Sequence, residues 1–413
     1  MKVMRTPILF IIAIFVLIGC SKEHEISLTN PSDLQRQDEP VVIARSLLDC
    51  LFNRDISEKF PLFIKKNGDT LVSQTDDLNG DGHWDEVFML VNFMPQEKIK
   101  CHIILIDPEA RPEFPKRTGL RFARVVEYQK SYEILKKAER LRSTATEASS
   151  AAFQIEGPGW ENDRIAFRNY FDARNGIDIF GKVTPKMVID SIGIVGDYHT
   201  LLWWGMDILK VGNSLGAGAL AVLAKDSLYR LDLPESAGYE PVADGPLRSI
   251  LRLTYKNWNV NSSMLDVVHE ISTWGGFYGY QSRVTVTGNM EAKNLVTGIV
   301  NMQSDTLYTS TKDSQFTVMF THDNQAYDGE KLGMGLILPS NRLEGFFEAP
   351  EEGPGVIQTY CAKLNLSENQ QVTFRFYAGW EKSDPEFARI AYFQNFLESE
   401  ALKWSDPVQV RTE

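Results

Sequence analysis

Cysteine and histidine are both scarce in this chain, with four and six among 413 residues. Once Cys20 is set apart, Cys50, Cys101 and Cys361 leave at most one bridge and no paired metal spacing, which argues against a disulfide framework or a structural zinc site. Positive charge is in deficit: 43 Lys and Arg face 55 Asp and Glu, a formal net charge of −12, and this argues against nucleic acid as a partner. Beyond residue 18 no apolar stretch is long enough to span a bilayer. Gly-x-Ser-x-Gly and His-Glu-x-x-His are absent, so serine esterase and zincin readings have no support. Gly212, Gly216 and Gly218 lack the Gly-Lys-Ser/Thr ending of a phosphate loop, and no nucleotide cofactor is expected. No internal repeat is present.

What the chain does have begins at its start. Lys2 and Arg5 precede an unbroken apolar run over residues 8–17, and Gly19 stands beside Cys20. That is the anatomy of a secretory signal. The cysteine at the junction makes residues 1–20 a lipoprotein signal, with Cys20 lipidated as the mature N-terminus. The expected location is the bacterial cell envelope, at the outer membrane, with the membrane engaged through the lipid anchor only. Residues 21–40 are poor in apolar side chains and read as a charged tether.

Strand-like segments recur from residue 41 onward, separated by turns such as Lys66-Asn67-Gly68-Asp69 and Asp244-Gly245-Pro246. Residues 41–125 read as a small β domain, and residues 150–413 as a large antiparallel sandwich, so the fold class is mainly β. Between them, residues 132–142 have the pattern of one polar helix. A second helix is expected near the C-terminus, where Ser383 or Asp384 caps, Pro385 opens the first turn, and Phe387, Ile390, Ala391 and Phe396 follow at helical spacing.

Four groups of residues could carry function. In residues 77–86 oxygen side chains alternate around Gly82, so Asp77, Asn79, Asp81, the carbonyl of His83 and Asp85 could wrap Ca2+ in a structural hairpin loop. The same residues also favour an ordinary Asn/Asp/Gly turn. In residues 157–182, period two puts Arg164, Arg168, Tyr170, Asp172 and Arg174 on one strand face, either a solvated face or the floor of a groove for an anionic ligand. Tyr198 and His199 stand close to Trp203, Trp204, Asp207 and Lys210, a titratable group near stacking surfaces. Farther on, His269 and Glu270 point to opposite faces of a strand, and Glu270 is the expected carboxylate base.

The motifs Asn30-Pro31, Arg36, residues 38–42, residues 77–86, Glu156-Gly157-Pro158-Gly159-Trp160-Glu161-Asn162-Asp163, residues 175–182 and residues 204–212 together resemble the domain-of-unknown-function family 4861, found in Bacteroidota lipoproteins. The resemblance implies a galactose-mutarotase-like super-sandwich and a place in polysaccharide-utilisation gene clusters, often near enzymes acting on uronic-acid-containing glycans. It transfers no catalytic residues. The expectation is an enzyme processing an anionic oligosaccharide by lyase, hydrolase or epimerase chemistry. In it His199 and Tyr198 move protons, Arg164, Arg168 and Arg174 neutralise a carboxylate, and Trp160, Trp203 or Trp204 stack on sugar, with Asp207 and Lys210 alongside. The rival expectation is a non-catalytic glycan-binding surface lipoprotein using the same surface.

Overall fold

The computed structural model describes residues 24–128, 130–288, 294–366 and 370–413, so the signal and Cys20 lie outside the described residues. A small unit packs two sheets together. One has strands in the order Gln409–Thr412, Glu25–Thr29, Lys98–Ile106, Phe60–Lys65, and the other Arg36–Ala44, Glu86–Phe93, Ser73–Asp76. Alternation explains its core: Ile26 and Leu28, Val41 and Ile43, and Val87, Met89 and Val91 all point inward. The opposite face of Glu86–Phe93 is buried too, because Phe88 and Leu90 enter a second core with Trp274 and Phe277. A strand covered on both sides reads as a continuous apolar run, and this one does.

Two boundaries differ from the sequence reading. The stretch taken as tether is a strand from Glu25, because Ile26 and Leu28 alternate inward between charged neighbours that dilute the local hydropathy. The small unit ends near Ile106, takes the last strand of the chain, and gives Thr118–Arg121 to the large unit. Residues 132–142 form no helix. Ser131–Ile134 and Ala138–Leu141 are strands pairing with Ala123–Glu127 and Ser236–Asp244. Ile134, Ala138 and Leu141 share helical spacing, but strand pairing satisfies the backbone here and still leaves Leu135 and Ala138 packed on the large core.

The large unit is a super-sandwich. A nine-stranded antiparallel sheet, with Arg248–Val260, Ser263–Trp274 and Gly279–Gly288 near its centre, faces two five-stranded sheets across one continuous core. One five-stranded sheet runs in the order Gly205–Asp207, Ile177–Lys182, Ile165–Asn169, Gly159–Asn162, Thr118–Arg121. The other contains Ala217–Ala224 and Asn294–Val300, and a parallel bridge from Ile177 to Gly216 joins the two. The C-terminal helix begins at Ile390, after a capped 3-10 turn, Pro385–Ala388. It lies on the nine-stranded sheet where Gly333 and Gly335 leave room: a Cβ at either would sit 2.5 Å from Phe393 or Leu397. Among the described residues no helix is long and apolar enough to cross a membrane.

The two units are locked by polar side chains. Gln74 accepts from the backbone N–H of Leu247 (2.8 Å) and Arg248 (3.0 Å), and Arg248 pairs with Asp76 and Glu86. Arg117 forks onto Asp38 (2.6 and 2.9 Å) and also bonds Asp163 (2.7 Å).

Candidate functional site

The outer face of the first five-stranded sheet carries the densest group of ionisable side chains. In Ile165–Asn169, Ile165 and Phe167 enter the core, so Arg168 points outward. Register sets Asp178 opposite Arg168 and Asp207 opposite Phe180, and the same alternation turns both carboxyl groups outward. Residues 183–204 roof this face, with Val188, Ile189, Ile192 and Trp204 buried on Ala166 and Phe180. Glu161 fastens the roof. Its carboxylate takes Lys182 Nζ (2.7 Å) and the backbone N–H groups of Val188 (2.9 Å) and Ile189 (2.8 Å).

Under the roof Arg168 is buried in an aromatic box of Tyr170, Phe180 and Tyr198, its guanidinium 4.6, 5.3 and 5.6 Å from the ring centroids. Arg168 Nη2 donates to Asp178 Oδ2 (2.7 Å), Asp207 Oδ2 (3.1 Å) and Tyr170 Oη (2.8 Å). Tyr170 Oη in turn donates to Asp178 Oδ2 (2.8 Å). Arg168 Nη1 reaches Glu156 Oε2 and Tyr198 Oη, both at 3.4 Å. Burial first, and the neighbouring Asp178 second, push the Asp207 carboxyl well above the usual carboxylate range. Asp178 and Asp207 both turn Oδ2 toward Arg168 Nη2, and this crowding of like charge favours the neutral form of Asp207. Burial opposes the charge on Arg168, but Tyr170, Asp178 and Asp207 outweigh it and hold the guanidinium protonated.

The cluster opens to solvent on one side. His199, with 45% of its side chain exposed, stands with Nδ1 3.6 Å from Asp207 Oδ2. Its ring lies 4.4 Å from Tyr198 and 5.9 Å from Tyr327. Burial raises the Tyr198 phenol above its ordinary value. Glu156, held at φ 58°, spans Arg168 and Arg174, the latter at 3.6 Å. Arg174 stacks on Tyr170 at 4.0 Å and pairs with Asp172 at 2.6 Å. It lines a cavity of about 270 Å³ with Tyr170, Glu147, Gly212 and Asn213. A larger cavity of about 710 Å³ lies where the units meet, between Phe60, Gln74, Phe114 and Pro246. Its charged residues Glu109, Arg111 and Glu113 are solvent-exposed, so the smaller cavity is the one next to perturbed groups.

The structure therefore brings together Arg168, Arg174, Tyr198, His199 and Asp207, and separates the rest. Arg168 is no open carboxylate receptor, because Asp178 and Asp207 already fill its fork. Arg164 precedes the strand and stacks on Tyr278 at 5.4 Å instead. Trp160 and Trp204 are core, packed on Phe167 and Phe180, and stack on no ligand. Lys210 is exposed beyond the cluster, and Trp203 is exposed on the roof. Glu270 turns away from the core and pairs with Arg252 (2.9 Å), whose Nη2 reaches Leu78 O on the small unit. It is no base for this site. Sequence reasoning missed Asp178, Glu156 and the fastening role of Glu161. Cross-strand pairing of Arg168 with the 175–182 motif was the signal for Asp178.

His269 faces inward, its Nε2 2.8 Å from Ser282 Oγ, and burial pushes its imidazole down to about 3. A folded-state value below the unfolded one gives stability that is present above the ordinary imidazole range and lost as pH falls. At pH 4 the wild type should have lost about 3 kcal/mol more than His269→Asn, relative to pH 7. Urea titrations at the two pH values measure it, and equal losses would contradict the burial argument.

In residues 77–86 the side-chain oxygens serve the hairpin itself. Asp77 accepts from Gly80 and Gly82 N–H (2.7 and 2.8 Å), Asn79 from Asp81 N–H (2.8 Å), Asp81 from His83 N–H (2.8 Å), and Asp85 from Leu78 N–H (2.8 Å). Among the described residues no three His, Cys, Asp or Glu side chains are grouped as metal ligands.

Residues 28–410 match the family described as Domain of unknown function (DUF4861), and the chain belongs to that family. A curated relative, "Uncharacterized protein P7" of Formosa agariphila, is 23% identical over 431 residues, 97% of each chain. Among solved structures, an alpha-mannosidase from Enterococcus faecalis V583 is similar over 95% of this chain and 46% of its own (TM-score 0.49, 10% identity). An aldose 1-epimerase candidate from Klebsiella pneumoniae is similar over 58% of this chain and 83% of its own (TM-score 0.30, 10% identity). The chain thus spans about half the length of the mannosidase, and the likeness is too loose to carry a functional argument.

Proposed function

We propose that the chain is an envelope lipoprotein that performs acid–base chemistry on anionic, uronic-acid-containing oligosaccharides at the Arg168 cluster. The observation that carries this reading is the buried group Asp178, Arg168 and Asp207, with Asp207 Oδ2 3.6 Å behind Nδ1 of the exposed His199. Burying two carboxyl groups against each other is costly, and folding alone gains nothing from it. In this mechanism His199 exchanges the proton with the sugar and Asp207 is the reservoir behind it. Tyr198 completes the rim, and Arg174, which lines the cavity and has Nε and Nη2 on Asp172, offers the substrate carboxylate its Nη1. Neutralising that carboxylate lowers the cost of removing the neighbouring carbon-bound proton, as lyase or epimerase chemistry requires. The cavity at Arg174 and Tyr170, about 270 Å³, is just below the range of ligand sites, roughly 300–1,000 Å³, and His199 stands outside its lining.

A mass-spectrometric screen against uronic-acid oligosaccharides tests the reading. Run in D2O, it should give products of changed mass, by cleavage or by solvent deuterium taken up at an epimerised carbon, lost in His199→Ala while the ligand is still retained. Retention without any change of mass in D2O would instead make the protein a binder.

Two further parts of the proposal have their own tests. If Cys20 carries the lipid, Cys20→Ser should abolish acyl labelling and release the protein from the membrane fraction. A mutant that stays membrane-bound would contradict the anchor. If residues 77–86 close on Ca2+, calcium should raise the melting temperature and chelator lower it, with Asp81→Ala removing the difference. Identical melting curves would leave the hairpin alone.

A further inference from the structure

The tip of the roof bears a side chain that folding does not require. Asp207 N–H bonds Tyr198 O (2.8 Å), Leu202 N–H bonds Gly205 O (3.0 Å) and Gly205 N–H bonds Leu202 O (3.2 Å). These bonds make a hairpin with Trp203 and Trp204 at its tip. Trp204 turns inward and anchors it, whereas Trp203 is 62% exposed. Of the eight tryptophans it alone is exposed. Val183, Val195 and Leu201 on the same roof, and Tyr327 beside His199, are also exposed. Apolar side chains gathered on one rigid segment mark a contact surface more than scattered ones do. Lys186 adds charge, its ammonium 6.0 Å from the Trp203 ring centroid.

From this arrangement we infer that the ligand is an extended acidic glycan, running from the Arg168 cluster past His199 and Tyr327 to a separate sugar subsite on Trp203 and Lys186. The inference rests on the glycan reading above and adds chain length and direction to it. Trp203 is four residues from both His199 and Asp207, at most roughly 13 Å along a strand, or about two pyranose rings beyond the reacting unit. A sugar ring stacks its apolar face on the indole while Lys186 meets its carboxylate. Longer chains therefore gain the tip contact that a short one bound at the cluster makes least.

The test measures binding by calorimetry against uronic-acid oligosaccharides of two to six units, and so does not depend on turnover. Affinity should rise with length up to about four units in the wild type. Trp203→Ala should lower affinity for the longest ligand about tenfold and leave the disaccharide unchanged. Lys186→Ala should weaken the acidic ligand but not its carboxyl-reduced analogue. Both side chains are exposed, so both variants should melt as the wild type does. A Trp203→Ala loss that is equal at every length, or absent, overturns the subsite. No binding at any length would overturn the glycan reading itself, and the subsite with it.

Discussion

Asp207→Asn should lower turnover by roughly 10²–10⁴-fold, the range in which a positioned proton-transfer group contributes. The asparagine keeps the shape of the carboxyl group and can still accept from Arg168, but it cannot release or take a proton. Stability should move the other way. The folded protein retains a proton on Asp207 that the unfolded chain loses above the ordinary carboxylate range, so this group costs stability as pH rises toward its folded value. The permanently neutral variant should therefore melt no lower than the wild type at neutral pH. Wild-type activity should fall as pH rises through the raised value of Asp207, and the variant's residual activity should lack that limb. Loss of activity together with a large loss of stability would make Asp207 a structural group.

Glu161→Ala should have the largest effect on the fold. It removes the partner of buried Lys182 and the acceptor of two backbone N–H groups at once. Breaking a buried pair from one side costs about 3–5 kcal/mol, because the remaining charge stays in a medium that cannot solvate it. Burial already lowers the Lys182 ammonium below its ordinary value, and part of the cost would be relieved by deprotonation. The melting temperature should drop sharply, with residues 183–204 exchanging amide protons first. Protection of that segment equal to wild type would contradict the fastening role.

Much of the site was legible because its residues sit in short motifs. Tyr198 and His199 adjoin in sequence, and Asp207 follows on the second leg of the same hairpin. Arg168 was singled out by alternation, but alternation does not say what stands opposite. Its partner Asp178 is set by strand register, which emerges only when Ile177–Lys182 pairs with Ile165–Asn169. The same limit reversed His269 and Glu270: period two separates the two faces without saying which one meets the core. Tryptophan misled for another reason. Trp160, Trp203 and Trp204 have the same chemistry in the sequence, and only packing separates two core rings from one exposed platform. A large antiparallel sandwich was expected from many strand signals and little helix, and its super-sandwich form from the family resemblance, whereas the strand at Glu25–Thr29 was hidden by its charged neighbours.

Asp207 should hold its proton above the ordinary carboxylate range, where His199 can exchange it. Infrared difference spectra between the wild type and Asp207→Asn measure this directly, through the carbonyl stretch of a protonated carboxyl group. A wild-type carboxylic-acid band that is missing from the variant and persists as pH rises through the ordinary carboxylate range is the predicted result. A band that titrates away within that range would contradict it.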